Sequence, residues 1–126
     1  RGIEYKQSHA KTHAAESRDI ILVCARYEGY DERIVEYVDY QYRVGNYVLT
    51  GGELPSMTII DSIVRLLPNV LGGETSVEKE SFQADDTSQE HPQYTRPEVF
   101  RDQSVPSVLL SGHHAEIEKW QKENSR

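Results

Sequence analysis

The sequence has very little sulfur: one cysteine and one methionine in 126 residues. A lone Cys24 excludes a disulfide framework within the chain. No Cys/His cluster has zinc-ligand spacing, so no metal site is expected. Long apolar runs are also missing. The longest, Ile20 to Ala25, is far below the roughly 20 residues that cross a bilayer as a helix. No signal-peptide pattern is visible, which makes a reducing cytoplasm the expected setting and excludes a membrane partner. Bases are scarce beside acids, 14 against 21, for a net charge of −7. That balance argues against gripping nucleic acid through overall positive charge.

What is present has a globular composition. Apolar and aromatic residues (AVILMFWYC) reach 37%, slightly below the usual share once glycine is added and far from a disordered chain. The length suits one domain with a real core. The first residue, Arg1, is not methionine, which reads as a fragment or processed product. The acid is unevenly placed. Glu74 to Glu90 holds six acids and one base, −5 of the total −7. The stretch is rich in Ser, Thr and Gln, so residues 74–98 are expected to form a flexible acidic loop or linker. Loops of that length in small domains are often functional.

Periodicity gives the coarse fold. A short helix is expected around Ala10 to Glu16. Ile20 to Cys24 fits a strand buried on both faces, leading into Arg26-Tyr27-Glu28-Gly29 at its C-terminal end, where open α/β sheets place ligands. Asp31 to Tyr40 has Ile34, Val35 and Val38 at helical spacing, with Asp31 as N-cap. Val44 to Leu49 is a second strand candidate, followed by the tight loop Thr50-Gly51-Gly52-Glu53-Leu54-Pro55. A broad apolar helix runs from there to Leu67, largely buried, with Pro68 as its stop. Val105 to Leu110 reads as a last strand, starting after Pro106. Ser111 caps a final helix to about Asn124, with Glu118 and Lys122 at i,i+4. Strands alternating with helices indicate α/β with a parallel sheet.

Several residue groups invite a chemical reading, and each has a plainer one. Gly51-Gly52 permits close backbone approach to a ligand, or is a structural turn; it is neither a P-loop nor a dinucleotide fingerprint. Arg26, Glu28, Asp31, Glu32 and Arg33 hold a cationic group, or form an ion-pair network. Arg65, on an apolar helix, snorkels or pairs with an acid, or reaches an electron-rich substrate atom. Adjacent His113 and His114 point different ways and do not suit a metal. Ile117 and Trp120 read as core. Cys24 reads as a small hydrophobe.

Five stretches, taken in order, resemble the bacterial tRNA (guanine-N1)-methyltransferase family, which modifies guanosine at position 37 of tRNA. They are Arg26-Tyr27-Glu28-Gly29-Tyr30-Asp31-Glu32-Arg33, Val44 to Pro55, Arg65-Leu66-Leu67-Pro68-Asn69-Val70-Leu71-Gly72, Tyr94-Thr95-Arg96-Pro97-Glu98-Val99, and Leu110-Ser111-Gly112-His113-His114-Ala115-Glu116-Ile117. Each match is modest alone, but the five in order and spacing are specific, and together they span nearly the whole chain. Arg1-Gly2 resembles the end of a Ser-Pro-x-Gly loop that precedes this region in the family.

The resemblance implies that residues 1–126 are part of a SPOUT-type α/β domain with a parallel sheet and a deep trefoil knot. The family's first strands and C-terminal helical domain would lie outside the chain. It implies S-adenosylmethionine as methyl donor, tRNA as substrate, a homodimer and a cytoplasmic enzyme. Ala25, where the family has glycine, would contact the donor, with Glu28 near its methionine end. Val44, Gly45, Asn46, Tyr47, Val48 and Leu49 would hold adenine and ribose, and Gly51, Gly52 and Pro55 would complete that wall. Arg65 matches the catalytic arginine near guanine O6. Glu80, before Ser81-Phe82, stands where the family's general base is an aspartate. Two other readings remain: a donor-binding fragment inactive on its own, and a nucleotide-binding α/β module.

Overall fold

A computed structural model describes residues 2–16, 18–72 and 80–126. The chain divides into two compact units, Arg1–Val77 and Glu78–Arg126.

In the first unit, β1 (Ile3–Glu4) pairs in parallel with β2 (Tyr42–Arg43), Ile3 opposite Tyr42 and Glu4 opposite Arg43. Between them lies α1 (Gln7–Glu16), so β1, α1 and β2 form a compact crossover unit. The helix α2 (Glu53–Val64) packs on α1. Ala10, Ile59 and Ile63 are buried at that contact, with Tyr5, Ala14, Leu22, Tyr42 and Leu66 around them. Alanine at position 10 has no side chain beyond Cβ, so the two helices approach closely there.

The first helical turn of α2 carries Glu53, which suits the positive end of the helix dipole. Pro55 is its third residue, where a backbone N–H has no partner within the helix. At the other end, Arg65 N donates to Asp61 O, then Leu66 N to Ile63 O and Leu67 N to Val64 O, at 3.0–3.1 Å. This tightening turn closes the helix before Pro68.

Several expected elements take another form. Ile20 to Ala25 belongs to no strand. Its alternation is that of an extended segment covered on one side: Leu22 packs on the core and Cys24 is half-buried, while Ile21 is 88% exposed. Leu22 meets the cluster of Ala10, Ile59 and Ile63, and among the described residues no strand pairs with the segment. Val44 to Leu49 is a bend rather than a strand, because the Arg43 guanidinium turns back to donate to the Asn46 side-chain oxygen. The segment after Asp31 is a 3-10 helix, Glu32–Tyr37, that ends where Val38 turns extended. Its β-branched Ile34 and Val35 are weak helix formers. Asp31 does cap it, accepting from Arg33 N at 2.9 Å. The helix α2 is not largely buried either: one face, Ile59 and Ile63, is covered, while Leu54, Met57, Ile60 and Val64 are exposed.

In the second unit, β3 (Val99–Phe100) and β4 (Gln103–Ser104) form an antiparallel hairpin. Arg101 and Asp102 both have positive φ, 47° and 63°, as a two-residue hairpin turn requires. The expected strand at Val105 to Leu110 is instead the helix α3 (Ser107–Leu110). Pro106, with φ of −52°, is preset for a helix start. Its partner α4 (His114–Asn124) follows after Ser111, whose Oγ accepts from His113 N at 3.1 Å.

The sheet is thus α/β in kind, with one short parallel pair. The flexible loop expected at residues 74–98 overlaps 73–79 at positions 74–79; residues 73–79 lie outside the described residues, as do Arg1 and Ser17. From Glu80 to Glu90 the chain is organised by Asp85. Its Oδ1 accepts from the Thr87 hydroxyl at 2.6 Å and from Thr87 N and Ser88 N, both at 2.7 Å, and these bonds, the hydroxyl's first, hold the Asp85 carboxyl below the usual carboxylate range.

Candidate functional site

The site begins with two glycines that bring backbone onto backbone. A Cβ on Gly52 would lie 2.9 Å from Cys24 Cα and 3.0 Å from Cys24 Cβ. No side chain fits there without moving the extended segment. A Cβ on Gly51 would run into the Glu53 carboxylate. Two side-chain links fasten the same approach: Cys24 Sγ to Ser56 Oγ at 3.0 Å, and Arg26 Nη2 to Glu53 Oε1 at 2.6 Å.

Beyond Arg26 the chain turns sharply. Gly29 N donates to Arg26 O at 3.1 Å, Tyr27 has φ of 56° and Gly29 of 111°. The glycine takes its value without strain. The turn presents Tyr27 and Glu28 to a cavity of about 740 Å³ within the first unit.

Nine sequence-predicted donor residues meet in the wall of this cavity. Ala25 and Glu28 come from the turn, Val44, Gly45, Tyr47 and Leu49 from the bend, and Gly51, Gly52 and Pro55 from the loop before α2. Asn46 and Val48 do not line it. Asn46 is occupied by the Arg43 guanidinium, and Val48 is 97% exposed. The charged cluster read from the sequence resolves into pairs: Arg26 with Glu53, and Arg33 with Asp31 at 2.5 Å. The Arg33 guanidinium holds the Asp31 carboxyl down to about 2.

The cavity also reaches residues the sequence reading missed. Glu16, Asp19 and Asp39 add carboxylates to Glu28, against the guanidinium groups of Arg18 and Arg43. Tyr30, Tyr37, Tyr40 and Tyr42 add aromatic faces. His13 Nε2 lies 2.9 Å from the Tyr42 hydroxyl, and its Nδ1 lies 3.4 Å from Glu16. Tyr40 and Tyr42 stack with centroids 5.6 Å apart. Burial, then the nearby charges of Tyr40, Tyr5 and Glu16, push the Tyr42 hydroxyl above the ordinary tyrosine range. No local motif marks these positions. They meet because β1, α1 and β2 bring Tyr5, His13 and Tyr42 together across the chain. Such a wall suits a ligand with an aromatic part and a positive charge, through carboxylate attraction and cation–π contact.

The two predicted catalytic residues sit elsewhere. Arg65 is half-buried at the end of α2 in the first unit, and Glu80 is half-buried in the second. A cavity of about 1060 Å³ in the second unit is lined by Tyr94, Arg96, Pro97, Leu110 and Ile117 among others, drawing on both C-terminal stretches of the resemblance. Among the described residues no group of His, Cys, Asp and Glu is arranged to hold a metal ion, and no helix is long and apolar enough to cross a membrane.

Comparison with known proteins adds the deciding observation. A model of the family described as tRNA (Guanine-1)-methyltransferase TrmD matches residues 1–126. The chain belongs to this family. It is 52% identical over 122 residues to the tRNA (guanine-N(1)-)-methyltransferase of Mycoplasma mycoides, a match covering 97% of this chain and 50% of that protein. The namesake enzyme of Lachnoclostridium phytofermentans is 51% identical over 125 residues, 98% of this chain and 44% of its own. That of Haemophilus influenzae is 50% identical over 115 residues, 90% of this chain and 46% of its own. The chain therefore spans about half the length of these TrmD relatives, and its cavity-forming loops lie inside the matched region.

Proposed function

We propose that this chain is part of an enzyme that transfers a methyl group from S-adenosylmethionine to N1 of guanosine at position 37 of tRNA. One observation carries the reading: nine residues that the family resemblance marks for donor binding meet in one cavity. Its volume falls within the ordinary range for small-molecule sites. Its excess of carboxylates and its tyrosine faces suit a cationic, partly aromatic ligand, so the residues fit the donor.

When bound, S-adenosylmethionine supplies an electrophilic methyl group on a positively charged sulfur. The backbone of Val44, Gly45, Tyr47, Leu49 and Gly51-Gly52 would hold the nucleoside part, and Glu28 would oppose the positive charge. Guanine N1 carries a proton at neutral pH, so its lone pair is not free. Glu80 takes that proton as general base. Arg65 stabilises the negative charge that builds toward guanine O6. Family membership supports the rest of the reading: a SPOUT-type fold with a deep trefoil knot, a homodimer and a cytoplasmic setting.

Calorimetry with S-adenosylhomocysteine, run beside a methylation assay on tRNA, tests this. Binding together with methylation is expected of the full-length enzyme. Binding without methylation by the 126-residue chain would make that chain a donor-binding fragment. Affinity for nucleotides but not for S-adenosylhomocysteine would overturn the proposal.

A further inference from the structure

The Arg26–Glu53 pair does not line the cavity, yet both residues adjoin its wall. Arg26 follows Ala25 and begins the turn that presents Glu28. Glu53 follows Gly52 and begins α2. The two charges meet at 2.6 Å, and Gly51 lies beneath them: a Cβ there would strike the Glu53 carboxylate and lie 3.6 Å from Arg26 Nη1. The glycine thus leaves the space in which the ion pair closes. Both side chains are substantially exposed, Arg26 at 65% and Glu53 at 47%. A pair that open to solvent contributes little to global stability.

We propose that Arg26 and Glu53 are positioning residues that clasp the two donor-binding loops together, and that Gly51 is kept small so that the clasp can close. The inference rests on reading the cavity as a donor site. The pair touches no ligand. It acts by holding the backbone of residues 25–29 against Gly51-Gly52, so that the wall exists before the donor arrives. Preorganisation of this kind raises affinity by lowering the ordering cost of binding.

The test uses Arg26→Gln, Glu53→Gln and the charge swap R26E/E53R. Three quantities are measured on each: S-adenosylhomocysteine affinity, the thermal midpoint, and amide exchange at residues 25–29 and 50–53. Each single substitution is expected to weaken binding about five- to tenfold and speed exchange in both loops, with the midpoint unchanged. The swap should recover part of the affinity, reduced because an arginine in the first turn of α2 opposes the helix dipole. Single variants that bind and exchange like the unaltered protein, or a swap no better than the singles, would overturn the clasp. If the unaltered protein fails to bind S-adenosylhomocysteine, the donor reading falls instead, and the exchange data still decide whether the pair holds the loops.

Discussion

The hydroxyl of Tyr5 lies 2.8 Å from Ser62 Oγ, joining the chain just after β1 to the outer half of α2 across 57 positions of sequence. Ser62 Oγ also lies 2.9 Å from the Ile59 carbonyl oxygen, so it keeps a partner when the Tyr5 hydroxyl is removed. Replacing Tyr5 with phenylalanine removes one hydrogen bond and leaves Ser62 satisfied. The expected cost is about 0.5–1.5 kcal/mol, read as a lower denaturation midpoint in urea with an unchanged slope.

The same tyrosine sets a limit at alkaline pH. Burial lifts the Tyr5 hydroxyl above its ordinary pKa near 10, partly offset by the Ser62 bond, and Tyr42 is raised too. A group raised on folding binds its proton more tightly in the folded state. Below pH 10 both states are protonated and the tyrosines add no pH dependence. As pH climbs past that value the unfolded chain ionises first, and stability falls until the folded pKa values are passed. Urea unfolding followed from neutral pH to about pH 11 should show the decline, and Tyr42→Phe should flatten it.

Packing at α2 is one-sided, and substitutions should report that asymmetry. Ile63→Ala, in the buried contact with Ala10, is expected to cost about 2–5 kcal/mol. Met57→Ala, on the same helix but 63% exposed, should stay within about 0.5 kcal/mol of the parent. Equal losses from the two would mean that α2 is covered on both faces in solution.

At the proposed catalytic residues, Glu80→Gln removes the base and should lower methyl transfer by about two to four orders of magnitude. Near-normal turnover would end that assignment. Glu80→Asp restores the family's residue and should remain active. Arg65→Ala should lower turnover by about two to three orders of magnitude while changing donor affinity far less. Single-turnover kinetics in the full-length enzyme separate the two effects.

Glycine size should matter at one position and not at another. Gly52→Ala forces a methyl against Cys24 Cα at 2.9 Å, a backbone neighbour with little room to give. Donor affinity should fall about tenfold or more. An alanine at Gly72 meets nothing within 4 Å, and there the affinity should be unchanged.

Local chemistry written in consecutive residues was the legible part. Asp31 caps its helix, Pro55 sits in a first helical turn, Pro68 follows the last turn of α2, and Ser111 precedes α4. The family resemblance picked out cavity residues from three separate segments. What escaped was set by distant neighbours. Whether Ile20 to Ala25 joins a sheet depends on partner strands that no local pattern reveals. Pro106 suits the edge of a strand by local pattern, although its fixed φ serves a helix start equally well. His13, Glu16 and Tyr42 carry no shared motif; tertiary pairing of β1 with β2 makes them neighbours. Arg26 and Glu53 lie in separate loops, so their pairing follows from the close approach that Gly51 and Gly52 allow.

The thinness of the core has a calorimetric consequence. Among the described residues, Ala10, Ile59 and Ile63 are the buried apolar side chains, while Ile21, Tyr27, Val48 and many others already meet water in the folded state. Surface that is hydrated before unfolding adds nothing to the heat capacity released by unfolding. A compact chain of this length would be expected to show an increment of about 1.5–1.9 kcal/mol/K. This one should fall well short, giving a broad, shallow stability curve in which warming and cooling change the folding free energy only slowly.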